Sequence, residues 1–370
     1  MKTWSRSRHR GVLALAVLVL IAVVPSMSQP APPAGYQQTN LVSDVPGLAM
    51  VTDSNLVNAW GMSFSSTSFI WVSDNKTGVA TLYNGSGMPE PTPQRLIVTI
   101  PGAPGSSASA PTGQLFNDGM GFELSPANPA RFIFVTEDGT ISGWNPSVDP
   151  THAVLEVDRS SIGAVYKGVA RAVSDGKDRL YATNFRFGTI EVFEVLDTKW
   201  TLVDSFTDPS LPPGYAPFNI QNLDGTLYVT FAKQGAERED DVAGPGNGFV
   251  DVLDPATNTF TRLISGHPGK APLNSPWGLA LAPSSGFGEF NGALLVGNFG
   301  DGAINAFDPS TGAFLGRLRH SHGGAIKIDG LWALVFGQGG ANNGPPTTLF
   351  FTAGPNDESH GLFGKLEPAP

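Results

Sequence analysis

Short apolar runs broken by Gly, Pro, Asp and Asn recur along the chain from residue 36 onward. The clearest set lies in residues 274–318, where Trp277 to Ala282, Ala293 to Gly297, Ala303 to Phe307 and Ala313 to Leu318 are separated by turn residues. Four such runs at this spacing predict a four-stranded antiparallel meander. Asp308, Pro309, Ser310, Thr311 and Gly312 join the last two runs, with proline fixing φ and glycine able to take φ > 0. One sheet of this kind cannot bury both faces, so copies must stack.

The copies are present. Trp60-Gly61 opens the first as Trp277-Gly278 opens the fifth, and the second is expected to open at residues 120–124 after a Pro/Gly/Ser/Ala-rich loop over 101–113. The third opens at 169–173, the fourth at 218–220 and the sixth at 331–336. A period near 50 residues with four strands per copy is that of a propeller. The sixth copy ends after three strands, while an unused strand-like run at 36–42 precedes the first. That run is predicted to complete the last sheet and close the ring. The fold class is therefore all-β, a six-bladed β-propeller of four-stranded antiparallel blades over residues 36–368.

The start of the chain follows a different pattern. Lys2, Arg6, Arg8 and Arg10 precede an uncharged apolar run at 12–24 and then the small residues Ser26 and Ser28. This is the layout of a secretory signal peptide over 1–28, too short to span a bilayer. A proline-rich linker occupies 29–35. The expected location is the bacterial periplasm or the extracellular space, with no stable membrane span after cleavage. Removing the leader's four basic residues takes the formal net charge from −10 to about −14, which argues against nucleic acid as a partner. The absence of cysteine excludes disulfides and thiolate chemistry. A monomer is expected, with an extracellular carbohydrate or protein as ligand.

Antiparallel alternation brings the loops between strands 2 and 3, and those between blades, to one rim. Asp74, Glu137, Asn184 and Asn298 follow strand 2 in their copies, and their oxygens can ring an axial spot suited to Ca²⁺ or another divalent cation. Hairpin turns alone also demand Asp and Asn, so that reading stays open beside the first. Asn75, Asp138, Arg186 and Asp301 are further rim candidates. His320 and His322, with His267 and His360, are the histidines able to reach it. Alternation along an extended chain points His320 and His322 opposite ways unless the loop bends. The acidic run 237–241 reads as a solvated flap. Trp60, Trp277 and Trp332 read as packing between blades. The chain carries no nucleophile elbow, zinc-protease helix motif, phosphate loop or dinucleotide fingerprint.

On Asn58-Ala59-Trp60-Gly61, Phe69-Ile70-Trp71-Val72-Ser73-Asp74-Asn75 and Asn274-Ser275-Pro276-Trp277-Gly278, the sequence resembles exported bacterial propellers of unknown function, distantly NHL-like and often carrying a PEP-CTERM tail. It is also similar to the gluconolactonase and senescence-marker propellers, whose axial site holds a divalent cation. The first resemblance implies a binding or scaffold module acting through its loop rim. The second implies the alternative, a cation-dependent hydrolase or lyase of the lactonase kind.

Overall fold

The structure, a computed structural model, describes residues 1, 2, 4, 35–119 and 121–370. Nearly all of the predicted leader and of the proline-rich linker lies outside the described residues. Six sheets, each of four antiparallel strands in meander order, account for the propeller. Blade one is built from Ala59–Ser63, Ile70–Asp74, Val79–Tyr83 and Ile97–Thr99, and the remaining blades repeat this order. In the sixth, Leu331–Phe336, Leu349–Ala353 and Leu362–Pro368 are joined by Tyr36–Ser43 from the other end of the chain.

That closing strand runs antiparallel to Leu362–Pro368, pairing Tyr36 with Pro368 and Ser43 with Leu362. Without it the third strand of blade six would present a bare edge. Two side chains pin its ends. The Tyr36 hydroxyl donates to the Phe287 carbonyl at 2.9 Å and the Ser43 hydroxyl to the Gly361 carbonyl at 2.7 Å. Val51–Thr52 adds a short parallel fifth strand outside it.

Each inner strand carries a bulge where it enters the sheet. The register slips between Ala59 and Met62, Tyr166 and Gly168, Pro217 and Asn219, Pro276 and Gly278, and Leu331 and Leu334. Blade two slips at the same level, where Gln114 and Pro111 meet the second strand. A bulge adds an unpaired residue and re-aims its side chain, and here the residues freed include Trp60, Lys167, Phe218, Trp277 and Trp332. The spare amide beside the bulge is taken by a threonine hydroxyl of strand 2, Thr183 for Gly168, Thr230 for Asn219 and Thr352 for Ala333.

The next residue is Gly or Ala in five of the six copies, with Asn219 in blade four, because the inner strands crowd together. A Cβ on Gly61 would lie 2.3 Å from the Thr112 carbonyl oxygen, and one on Gly113 would lie 2.8 Å from the Gly168 Cα. The equivalent positions are thus 61, 113, 168, 219, 278 and 333.

This alignment corrects the sequence reading of blade two. Its inner strand is Pro111–Phe116, not 120–124. Residues 117–131 form the connection to the second strand and include a small ribbon, Glu123–Ser125 with Asn128–Pro129. The segment Pro-Thr-Gly-Gln-Leu-Phe shows little apolar periodicity because it lines the axis, where Thr112 and Gln114 bond neighbouring backbone. The Thr112 hydroxyl donates to the Tyr166 carbonyl, and the Gln114 amide to the carbonyls of Gly61 and Trp71. As a consequence Asn117 and Asp118, which follow this strand, lie on the face opposite the rim.

Candidate functional site

The bulge column meets at the axis as an aromatic plug. Trp60 stacks on Trp332 with ring centroids 3.6 Å apart, Trp277 stands edge-on to both, and Phe299 stacks on the other face of Trp332 at 4.0 Å. The tryptophans therefore close the central channel rather than fill the gaps between outer sheets. Blade three breaks the column with Lys167, whose side chain is 1% exposed.

Lys167 is built into the plug from several sides. Its ammonium forms a close ion pair with Glu137, from the turn after the second strand of blade two, and lies 3.5 Å from Asp240 Oδ1. It also sits 5.0 Å from the Trp60 ring centre and 6.0 Å from that of Phe185, a cation–π placement. Burial alone would lower its pKa, but the Glu137 carboxylate, with Asp240 adding, outweighs burial and holds it above the ordinary lysine value. Glu137 shifts the opposite way. Burial works to raise it, and Lys167 and Asn75 together hold it below the usual carboxylate range.

A chain of amides ties this pair to the rest of the mouth. Asn75 Nδ2 donates to Glu137 Oε2 at 2.8 Å, and Asn58 Nδ2 donates to Asn75 Oδ1 at 3.1 Å and Glu358 Oε2 at 2.7 Å. The Trp332 indole N–H donates to Asn58 Oδ1 at 2.9 Å. Blades one, two, three, four and six thus each supply a group. Above them opens a hollow of about 370 Å³ lined by Glu137, Asp138, Glu239, Asp240, Asp357 and Glu358 with Lys76. Burial, with repulsion from Glu137, raises the pKa of both Asp138 and Glu358. The run 237–241 folds over this hollow as a small hairpin, with Gly235 N–H on the Asp240 carbonyl and Glu239 paired to Arg186.

Of the four axial candidates, Glu137 stands at this mouth. Asp74 is fully buried and accepts from the Thr81 hydroxyl at 2.8 Å, Asn184 donates to Glu191 at 3.0 Å, and Asn298 donates to the Pro272 carbonyl at 2.8 Å and to Asp301 at 3.0 Å. No hydrogen bond or ion pair joins any two of the four among the described residues. Register explains the separation. Asp74, Asn184 and Asn298 end their strands, whereas in blade two that place is Thr136 and Glu137 is one residue further on. Among the described residues no group of three or more His, Asp or Glu is arranged to hold a metal ion.

Asn75, Asp138 and Arg186 serve the mouth, while Asp301 serves its own turn. His360 faces Asp44 at 2.8 Å beside the closing strand, and His267 is exposed in a turn with Lys270. A turn from His320 to Gly323 bends that loop, so the His320 and His322 rings stack at 5.0 Å.

Sequence reasoning gave Lys167, Asn58, Glu358 and Asp240 no role beyond a place in the rim loops. The available signal for Lys167 was a lone lysine in a column otherwise held by Trp60, Thr112, Phe218, Trp277 and Trp332. Aligning Ala170 rather than Gly168 with Gly61 hid it.

The chain is 30% identical over 344 residues to "Uncharacterized protein L690" of Acanthamoeba polyphaga mimivirus, covering 90% of this chain and 86% of that protein. It belongs to the same family. "Uncharacterized protein R648" of the same virus is 30% identical over 336 residues, covering 88% and 78%. No family model matches. A solved structure described as streptogramin B lyase superposes with a TM-score of 0.51 at 10% identity, covering 90% of this chain and 97% of that one. That likeness shows the shared propeller fold.

Proposed function

We propose that the protein is an exported, non-enzymatic binding module whose rim mouth takes a cationic group carried by a protein partner. The observation that carries this reading is Lys167. The mouth already holds one ammonium between carboxylates and the face of Trp60. Asp138, Asp357 and Glu358 line the space above it with Lys76 as the lining cation, so a second ammonium or guanidinium would relieve their mutual repulsion. The amide chain from Trp332 to Glu137 fixes these groups before any ligand arrives, which lowers the ordering cost of binding.

A hydrolase would instead need an axial group free to accept a proton. Glu137 is committed to Lys167 and Asn75, which favours binding over catalysis. The exported location rests on the basic-then-apolar pattern of residues 1–28.

Fluorescence anisotropy with a labelled oligolysine peptide tests the reading. Binding is expected at low salt, weakening as salt rises and not seen for oligoglutamate. The variant Asp357→Asn/Glu358→Gln should weaken it several-fold, whereas Asp175→Asn/Asp197→Asn, in turns of blade three remote from the mouth, should leave it unchanged. Equal loss in both variants would reduce the effect to net charge and overturn the proposal.

A further inference from the structure

The larger hollow lies on the opposite face, beneath the plug. It measures about 780 Å³ and draws its wall from the inner strands of all six blades, with Trp277 in its lining. Pockets that hold small ligands fall at roughly 300–1,000 Å³. Its breadth follows from small residues below the plug, among them Gly113, Ala170, Ala172 and Ala333.

The wall chemistry is distinctive. Arg171 is the cation in this wall, and its guanidinium is held between Asp118 and Asp178, so it is not free for an anion. Beside the exposed carboxylate of Asp224, what remains is uncharged: amides, hydroxyls and the half-buried ring of Phe116. Gln338 spends its Nε2 on the Phe64 carbonyl at 3.0 Å and keeps its Oε1 as an acceptor. The half-buried Gln221 amide has no hydrogen-bond partner among the described residues. The frame behind them is fixed, because Asn219 Nδ2 bonds the Trp277 carbonyl at 2.8 Å and Asn222 Nδ2 the Arg171 carbonyl at 2.9 Å.

We propose that this lower funnel is a second binding site and that it takes the end of a neutral oligosaccharide. A sugar offers hydroxyls that both donate and accept, matching the Gln221 amide and Gln338 Oε1, and C–H faces that pack on Phe116. Nucleotides, sulfated glycans and fatty acids would need a free cation, and Arg171 is already neutralised twice. The proposal is independent of the cationic partner assigned to the rim.

Isothermal titration calorimetry on the full chain, with cellotriose, maltotriose and triacetylchitotriose as probes, tests it. At least one should bind with unit stoichiometry, and raising the salt should leave its affinity unchanged because the ligand is neutral. Ala172→Trp fills the funnel and should abolish binding. If that variant fails to fold, Gln221→Ala/Gln338→Ala supplies the same test, with an expected loss of about fivefold or more from two hydrogen bonds. Asp357→Asn/Glu358→Gln at the rim should leave sugar binding intact. No binding by any of the three sugars, or binding undiminished in the folded funnel variants, overturns the proposal.

Discussion

The two mouths open at opposite faces of the same ring, one lined by loops and the other by the inner strands, and they differ in almost every property that governs recognition. The rim mouth is narrow, acidic and tied together by hydrogen bonds across five blades. The lower mouth is about twice the volume, has its lining cation Arg171 already paired, and keeps amide groups in reserve. The division falls at the bulge column. One residue per blade is turned to the axis there, and the bulky ones among them plug the channel. Below it the small residues that let the strands crowd together also leave the funnel open. A repeat architecture thus fixes the space, and a single column of side chains decides what each end of that space can bind.

Breaking the rim pair should have the largest effect and should touch one mouth only. Lys167→Met leaves the half-buried Glu137 without its partner though still bonded to Asn75, a loss of about 2–3 kcal/mol in denaturant unfolding. Lys167→Met combined with Glu137→Leu should recover most of that, since an apolar pair fits a plug already made of tryptophan. Gln221→Ala in the lower funnel should shift stability by less than about 0.5 kcal/mol. If the double variant were no better than the single, the pair would be held by its wider network rather than by mutual neutralisation. The contrast between a self-satisfied mouth and an open one would then need redrawing.

Much of this architecture was legible in the sequence, and the reasons are physical. Glycine, Asp-Pro turns and apolar runs recur because every blade needs the same hairpins, so the blade count and the closing strand could be read directly. Pro111–Phe116 could not, because an axis-lining strand is paired on one edge and its polar residues bond neighbouring backbone instead of marking a loop. The site was obscured by the same effect. The last residue of the second strand is Asp74 in blade one but Thr136 in blade two, so Glu137 looked equivalent to Asp74 although it stands one place further along. Lys167 reads as a loop lysine until Gly168 is aligned with Gly61 and Gly278.

The pH response sharpens the comparison further. Glu137 has its pKa lowered in the fold, so its contribution is present above the unfolded value of about 4.3 and is lost as pH falls through the lower folded value. Lys167 has its pKa raised, so its contribution is present below about 10.4 and is lost as pH rises through the folded value. The stability deficit of Glu137→Gln should therefore form a plateau between about pH 4.5 and pH 10 and shrink on either side. Urea unfolding of the two proteins across this range measures it. A deficit that stays constant down to pH 3 would show that Glu137 acts through packing rather than charge. The lower funnel's Gln221→Ala should give a flat profile throughout, because no titrating group is removed.

A smaller effect than at the rim pair is expected at Asp74, which adjoins Asn75 but is fully buried within its own blade. Burial, aided by repulsion from Asp53, raises its pKa well above the usual value, and one of its carboxylate oxygens has no hydrogen-bond partner. The sign is opposite to that of Glu137. Ionising Asp74 costs more in the fold than in the unfolded chain, so the native state loses stability as pH rises above about 3.9. Asp74→Asn keeps an acceptor for the Thr81 hydroxyl and removes the titration, but it places an amide N–H₂ where the unpaired oxygen stood. That donor carries a penalty of about 1 kcal/mol that does not depend on pH. Relative to wild type, the variant should therefore be weaker near pH 4 and improve by about 1 kcal/mol or more by pH 8, a crossing measurable by urea titration at the two pH values. A pH-independent difference would mean that Asp74 holds the same charge folded and unfolded, and Glu137 would then be the carboxylate of these adjoining turns whose ionisation the fold controls.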